Sequence, residues 1–428
     1  MHLQDELEKR GFLYQVTNEK VFDTFNKWWE SLYFGVDPTA DSLHLGNFVV
    51  FMQAVNYMKR GNKLYLIVWW ATGMIGDPGW RDSERAFLDE EILQHNIQNI
   101  TKQVTEILHN LKIVSWHDFD FEVLNNEEFY EDMKYTQFLR EVGKYITVNN
   151  MINKETVKKR VEDPNQSISY TEFSYMLMQA YDYLKLYEDK NVTLQISWSD
   201  QWWNIVTGVE LIRKKLDKQV YWATWPLVLD ASGKKFGKSE WNALWLDPQK
   251  NSPFVIYQYF LNANDEDVER YLKLLTLLDF DTIQTIVDTH NQDTAKRYWQ
   301  KQLAQYITQT VFGENPAQQA SKITQLLFSD EERIQSIKNL DNAEKDMLIH
   351  ATHGKQLTKK PYKILDLCTQ SELTASNSEA KKLIISGALY CNEKQLIDPQ
   401  EEISPSIAIN DIILLKKGKK TFKAVQFT

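Results

Sequence analysis

Apolar positions recur with a helical period across LHLGNFVVFMQAVNYMKR, residues 43–60, and then fuse into the run KLYLIVW, residues 63–69, after the turn Gly61-Asn62. The first stretch predicts a helix and the second a strand buried on both faces. The alternation continues with an amphipathic helix in TEFSYMLMQAYDYLKLY (171–187), a strand in VTLQIS (192–197) and a helix in DQWWNIVTGVELIRKK (200–215). Strand, glycine turn and helix repeated through the first 230 residues predict a parallel sheet with helices on both faces, an α/β architecture. From about residue 251 to 350 the pattern is helical throughout, as in DEDVERYLKLLTLL and NPAQQASKITQLLF. A polar link, THGKQLTKKPYK, then leads into a small unit of helices and short strands. The expected domains are 1–230, 231–350, a linker at 351–361, and 362–428. No internal repeat or low-complexity tract interrupts this order.

At 428 residues and 43% hydrophobic content the chain exceeds one compact core. The opening MHLQDELEKRGFLYQV is charged, and no run of about 18 apolar residues follows, which predicts a cytoplasmic protein. Cys368 and Cys391 lack the spacing of a metal cluster and read as reduced packing residues, so no metal site is expected. The net charge of −10 argues against an indiscriminate nucleic-acid binder. From Lys355 onward, however, 12 Lys stand against 8 Asp and Glu, a balance of +4 that leaves −14 for the rest. A basic C-terminal unit on an acidic body suggests a module that meets a polyanion, although scattered surface lysines would give the same sum.

Two motifs carry candidate chemistry. In YFGVDPTADSLHLGN, residues 33–47, a strand end passes through Gly35 and Pro38 into a helix beginning near His44. Thr39, His44 and Asn47 then gather at a helix N-terminus, where free N–H groups and the dipole favour an anion by roughly 0.3–1 kcal/mol. A histidine there can donate to a phosphate whose charge grows during reaction, although a lone histidine serves equally as a cap. GKKFGKSE, residues 233–240, interleaves lysines with glycines after the apolar PLVLD. Lysines on such a loop can move onto a triphosphate and neutralise departing pyrophosphate, whereas a plain surface turn would look alike.

His-Leu-Gly-Asn at 44–47 and Lys-Phe-Gly-Lys-Ser at 235–239, about 190 residues apart, resemble the HIGH and KMSKS signatures of class I aminoacyl-tRNA synthetases. DPTADSLH, TGMIGDP, SYTEFSYMLMQAYD and SDQW make the resemblance specific to bacterial-type tyrosyl-tRNA synthetases, and it covers essentially the whole chain. The C-terminal stretch LTASNSEAKKLIISGALYCNEKQLID is similar to the small RNA-binding domain that ends many members.

The resemblance implies a Rossmann-like catalytic domain, a helical anticodon-binding domain and a small α+β RNA-binding domain. It implies a tyrosine–tRNA ligase using L-tyrosine, ATP with Mg2+ and tRNA(Tyr), acting as a homodimer. Tyr33 and Asp182 would pair the substrate phenol, and Tyr175, Gln179 and Asp77 would hold its ammonium. Gln201 would meet its carboxylate end. Gly35, Asp37, Thr39, His44, Gly46 and Asn47 would line the ATP site, with Asp200 on the ribose and Leu227 and Val228 beside adenine. Arg81, Arg85, Lys235, Lys238 and Ser239 would clasp pyrophosphate. Lys381, Lys382, Lys416, Lys417, Lys419 and Lys420 are the expected RNA contacts. His-Leu-Gly-Asn also drifts toward the tryptophanyl enzymes, which keeps a tryptophanyl alternative open.

One departure from the pattern is systematic. Trp69, Trp70, Trp80, Trp198, Trp203, Trp222 and Trp241 fall where glycine is usual or acceptable, and Trp28 and Trp29 follow suit, while Trp202 and Trp245 match family tryptophans. Literal indoles at 69, 70 and 198 would fill the space where backbone must approach tyrosine and ribose, leaving a catalytically silent RNA-binding protein. The other account is that UGA, which encodes glycine in some bacterial lineages and tryptophan in others, has been written as tryptophan.

Overall fold

The computed structural model describes residues 1–13, 15–27, 29–73, 89–153, 155–163, 167–225, 228–229, 236, 243–328, 332–418 and 421–428. Helices α1 (Leu3–Arg10) and α2 (Lys20–Phe25) flank strand β1 (Gln15–Val16) and precede β2 (Ser31–Val36). Next come α3 (Leu45–Met58), β3 (Lys63–Val68), the single turn α4 (Trp70–Gly73), α5 (Glu90–Ser115) and β4 (Phe121–Asn125). Three short helices, α6 (Tyr135–Glu141), α7 (Val148–Ile152) and α8 (Glu155–Glu162), lead to α9 (Tyr170–Lys190), β5 (Leu194–Trp198), α10 (Trp202–Leu216) and β6 (Tyr221–Trp225).

The six strands form one sheet in the order β1-β6-β5-β2-β3-β4. From β6 to β4 every pairing is parallel. The edge strand β1 is the exception: it runs antiparallel to β6 through Gln15↔Thr224 and Val16↔Ala223. A two-residue segment carries no side-chain period, so its direction was not legible. β2 and β3 are buried almost along their length, as strands covered by helices on both faces must be. Helix α3 buries every residue except Asn47, which leaves Asn47 as its polar opening.

The expected elements appear close to their predicted bounds. α5 presents Leu93, Ile97, Ile100, Val104, Ile107, Leu108 and Leu111 inward at helical spacing. α9 opens on Ser169, whose hydroxyl accepts the Glu172 N–H, and closes on Asn191 in the left-handed region.

Seven further helices follow: α11 (Pro253–Leu261), α12 (Asp265–Leu275), α13 (Phe280–Gln292), α14 (Tyr298–Phe312), α15 (Glu314–Phe328), α16 (Arg333–Lys338) and α17 (Asn342–Ala351). Their packing does not follow chain order. Residues 263–299 group with 1–247, whereas 248–262 group with 300–428. Arg10 ties α12 into the first unit: its buried guanidinium donates to the Thr276 and Leu278 carbonyls at 2.9 and 2.8 Å.

Within the second unit, β7 (Lys355–Leu357), β8 (Tyr362–Lys363), α18 (Ile364–Gln370), α19 (Asn377–Ile385), β9 (Leu389–Cys391), β10 (Lys394–Gln395), β11 (Glu402–Ile403), β12 (Ile412–Lys417) and β13 (Thr421–Phe427) complete the chain. Five strands pair as β10-β9-β12-β13-β7, and Ile364, Leu367, Ala380 and Ile384 pack with Ile413, Leu415 and Val425 in one core. Cys368 and Cys391 are free and buried in that core, and burial pushes both thiols up to about 12. No described helix is long and apolar enough to cross a membrane.

Candidate active site

In an open parallel sheet, ligands bind beyond the carboxyl ends of the strands, where the winding order reverses. Here that point lies between β2 and β5, since β3 and β4 extend the sheet one way and β6 the other. β2 and β5 pair only at Leu32↔Leu194 and Tyr33↔Gln195. Beyond Tyr33 a pocket of about 240 Å³ opens, lined by Gly35, Asp37, Thr39, His44, Asn47 and Gln201 together with Trp69, Trp198 and Trp245. The sequence-predicted nucleotide residues on β2, the following turn and α3 therefore do converge.

His44 is the N-cap of α3 and forms a reciprocal capping box with Asn47. The Asn47 N–H donates to His44 Nδ1 at 3.2 Å, and the His44 N–H donates to Asn47 Oδ1 at 3.0 Å. An Nδ1 that accepts places the neutral ring's proton on Nε2, so the imidazole is a donor at that atom. The cap and ligand readings of His44 thus coexist. Gly46 belongs to the same device, because a Cβ there would stand 2.8 Å from His44 Cε1.

The turn before His44 is held by residues that periodicity alone did not single out. Asn96 of α5 donates to the Pro38 carbonyl at 2.9 Å, and Gln103 Oε1 accepts the Leu43 N–H at 2.7 Å. From the other side, Leu45 N–H donates to Leu244 and Leu246 N–H to Leu43, both at 2.8 Å. The ring of Trp245 lies 6.1 Å from that of His44. Leu244 and Leu246, just past the lysine-rich stretch, are therefore bonded to the turn that precedes α3. Before that stretch, Val228 accepts the Phe236 N–H at 2.9 Å and does not line the pocket.

Four of the residues expected to bind tyrosine form a second, sealed set, whereas Gln201 lines the pocket. Tyr33, Tyr175, Gln179 and Asp182 are each at most 1% exposed. Asp182 accepts from Tyr130 Oη at 2.8 Å on one oxygen and from Asn126 Nδ2 at 3.1 Å on the other. Burial raises its carboxyl to about 7 against the pull of those two bonds. Burial, with Tyr183 and Asp182 nearby, holds the Tyr33 phenol well above its ordinary value, so Tyr33 keeps its proton. The Tyr33 hydroxyl and both polar atoms of the Gln179 amide are buried without a hydrogen-bond partner. Asn126 also accepts the Ala71 N–H at 2.9 Å, linking Asp182 to α4. Asn126 and Tyr130 stand more than 50 residues from Asp182, beyond any local pattern.

Trp69 borders both sets. Its ring lines the pocket and packs in the same buried cluster as Tyr33, Met176, Ala180 and Tyr183. A Cβ built on Gly35 would overlap that indole.

Asp77, Arg81, Arg85, Leu227, Lys235, Lys238, Ser239, Lys419 and Lys420 lie outside the described residues, as do Trp28, Trp80 and Trp241. So does the Asp200 side chain, although its backbone forms a 3-10 turn with Ser199 and Gln201. In the C-terminal unit Lys381 and Lys382 on α19 are exposed. Lys417 pairs with Glu379 at 2.7 Å, and Lys416 lies over Tyr390 and Phe422 at 5.5 and 5.6 Å.

The family model of class I tRNA synthetases (W and Y) matches residues 30–329, and the tyrosine–tRNA ligase SYY-like C-terminal domain matches residues 345–425. A tyrosine–tRNA ligase of Streptococcus equi subsp. zooepidemicus is 39% identical over 100% of both chains. One from Streptococcus pneumoniae is 38% identical over 99% of each. A C-terminally truncated mitochondrial tyrosyl-tRNA synthetase of Aspergillus nidulans superposes with a TM-score of 0.69 at 27% identity, over 76% of this chain and 94% of its own. Matched end to end in this way, the chain belongs to the tyrosine–tRNA ligase family of class I tRNA synthetases.

Proposed function

We propose that the protein is a tyrosine–tRNA ligase in which the pocket at the β2–β5 switch point takes ATP and the buried set behind it takes L-tyrosine. The observation that carries this reading is the pairing of an ionisable Asp182 with a buried, unsatisfied Tyr33 hydroxyl and Gln179 amide. Buried polar groups without partners are costly unless a ligand supplies them. A phenol hydroxyl both donates and accepts, whereas an indole offers a single N–H. That mismatch, with the tyrosine-type C-terminal domain, disfavours the tryptophanyl reading.

In the first step a tyrosine carboxylate oxygen attacks the α-phosphorus of ATP, and the bond to the β-phosphate breaks. Tyrosyl-adenylate and pyrophosphate result. No general base is needed, because the carboxylate is already a nucleophile. The protein's work is positioning and charge stabilisation. His44 Nε2–H, Thr39 and the α3 N-terminus meet the phosphates, and Asn47 fixes the imidazole. Asp182 accepts from the substrate phenol, and Tyr33 donates to its oxygen. Tyr175, Gln179 and Asp77 hold the ammonium, Gln201 its carboxylate end, and Gly35, Asp37, Gly46, Asp200, Leu227 and Val228 complete the nucleotide side. Arg81, Arg85, Lys235, Lys238 and Ser239 neutralise the leaving pyrophosphate, and Mg2+ arrives with ATP as its counter-ion.

In the second step a terminal hydroxyl of tRNA(Tyr) attacks the tyrosyl carbonyl and AMP leaves. The helices within 231–350 read the anticodon, and residues 362–428 contact RNA through the C-terminal lysines. The protein acts as a cytoplasmic homodimer.

Amino-acid-dependent ATP–pyrophosphate exchange tests the first step. Exchange should require tyrosine, and phenylalanine should support it roughly 10⁴–10⁵-fold less well, a ratio known for tyrosyl enzymes themselves. Exchange driven by tryptophan, or by no amino acid, would remove the proposal.

A further inference from the structure

Tryptophan stands at places where the backbone calls for glycine. Twelve described non-glycine residues have positive φ, and eleven of them fall between 46° and 68°. The remaining one, Trp29, has φ 87°, the range held by Gly11 at 87°, Gly61 at 81° and Gly313 at 91°. A bulky residue there is strained, and at 88% exposure Trp29 gains no burial in return. Trp116 closes α5 in the left-handed conformation with φ 58°, a C-cap position that helices usually give to glycine, and its side chain is 93% exposed.

Inside the site the same residue type is misplaced in another way. The Trp69 indole lies against the Cα of Gly35, and its buried Nε1–H has no acceptor, nor has that of Trp70. Buried indole N–H groups normally find one. An orphaned N–H does not by itself mark a glycine position, since Trp225 has one within the core. The contact with Gly35 adds to it: Trp69 both lines the pocket and packs in the buried cluster that holds Tyr33. Composition agrees. Chains of this length carry about 30 glycines at ordinary usage. This one has 15 glycines and 14 tryptophans.

We propose that Trp29, Trp69, Trp70 and Trp116 stand at codons read as glycine in the cells that make this protein, UGA being the codon whose meaning differs between genetic codes. The working chain then has strain-free turns at 29 and 116, and at 69 no indole stands between the pocket lining and the cluster around Tyr33. Its consequence for tyrosine binding rests on the ligase reading above, but the residue identities do not.

Peptide mass spectrometry of the protein purified from its own cells tests this. Peptides spanning residues 29, 69–70 and 116 should each be lighter than the written sequence by one indolylmethyl group per exchanged position. Intact tryptophan at 29 and 69 would overturn the proposal. Glycine in those peptides, from a protein without tyrosine-dependent exchange, would uphold the decoding and overturn the ligase reading instead. Recombinant protein carrying Trp69→Gly, Trp70→Gly and Trp198→Gly as well as Trp29→Gly and Trp116→Gly should gain tyrosine-dependent exchange that the chain with tryptophan at these positions lacks.

Discussion

Asp182 sets the pH behaviour of the tyrosine set. Burial raises its carboxyl from 3.8 to about 7, so between those values the folded chain binds a proton that the unfolded chain has released. Stability from this group is therefore full below about 3.8, falls as pH rises, and is gone above about 7. Thermal denaturation across that window should show the decline, and Asp182→Asn should flatten it. Recognition runs the opposite way, because an ionised Asp182 is the better acceptor for a phenol. The KM for tyrosine should fall as pH passes upward through about 7, and in Asp182→Asn it should be high and insensitive to pH over the same span. A tyrosine KM unchanged by that substitution would separate Asp182 from the substrate. At His44 the expected defect is in rate: His44→Ala should lower kcat for adenylate formation by about 10²–10³, the usual loss of one transition-state donor, with tyrosine KM little changed. Gly46→Ala should act in the same direction by displacing the ring that packs over it.

Among the elements, α3, β3, α9, β5 and α10 were legible because burial of one face or of both leaves a period in the chain. The shared buried face of Tyr175, Gln179 and Asp182 was legible for the same reason, the three being spaced along α9. Asn96, Gln103, Asn126 and Tyr130 were not, since each acts through a bond to a residue about 50 or more positions away. The grouping of residues 263–299 with the first unit was equally hidden, because an amphipathic helix does not declare its partner. Asn126 offers the sharpest test at this scale. Asn126→Ala leaves the Ala71 N–H and one Asp182 oxygen without their bonds, which should cost about 1–3 kcal/mol of stability, read as a lowered Tm. It should also raise the KM for tyrosine more than that for ATP. Equal effects on both substrates would assign Asn126 to general stability alone.

For the whole molecule, the net charge of −10 conceals the basic C-terminal stretch that the sequence pointed to. Lys381 and Lys382 are exposed on α19, whereas Lys417 is engaged by Glu379. Reversing the exposed pair with Lys381→Glu and Lys382→Glu should weaken tRNA binding and reduce its salt dependence, as expected when phosphate contacts are lost, while leaving tyrosine-dependent exchange intact. The central claim joins the two ends of the chain in one reaction, and transfer of tyrosine to tRNA tests it most directly. Protein purified from its own cells, given ATP, labelled tyrosine and tRNA from the same source, should charge one tRNA acceptor with tyrosine and leave it uncharged with labelled tryptophan or phenylalanine. Charging with tryptophan, or tight tRNA binding without any tyrosyl transfer, would contradict the account.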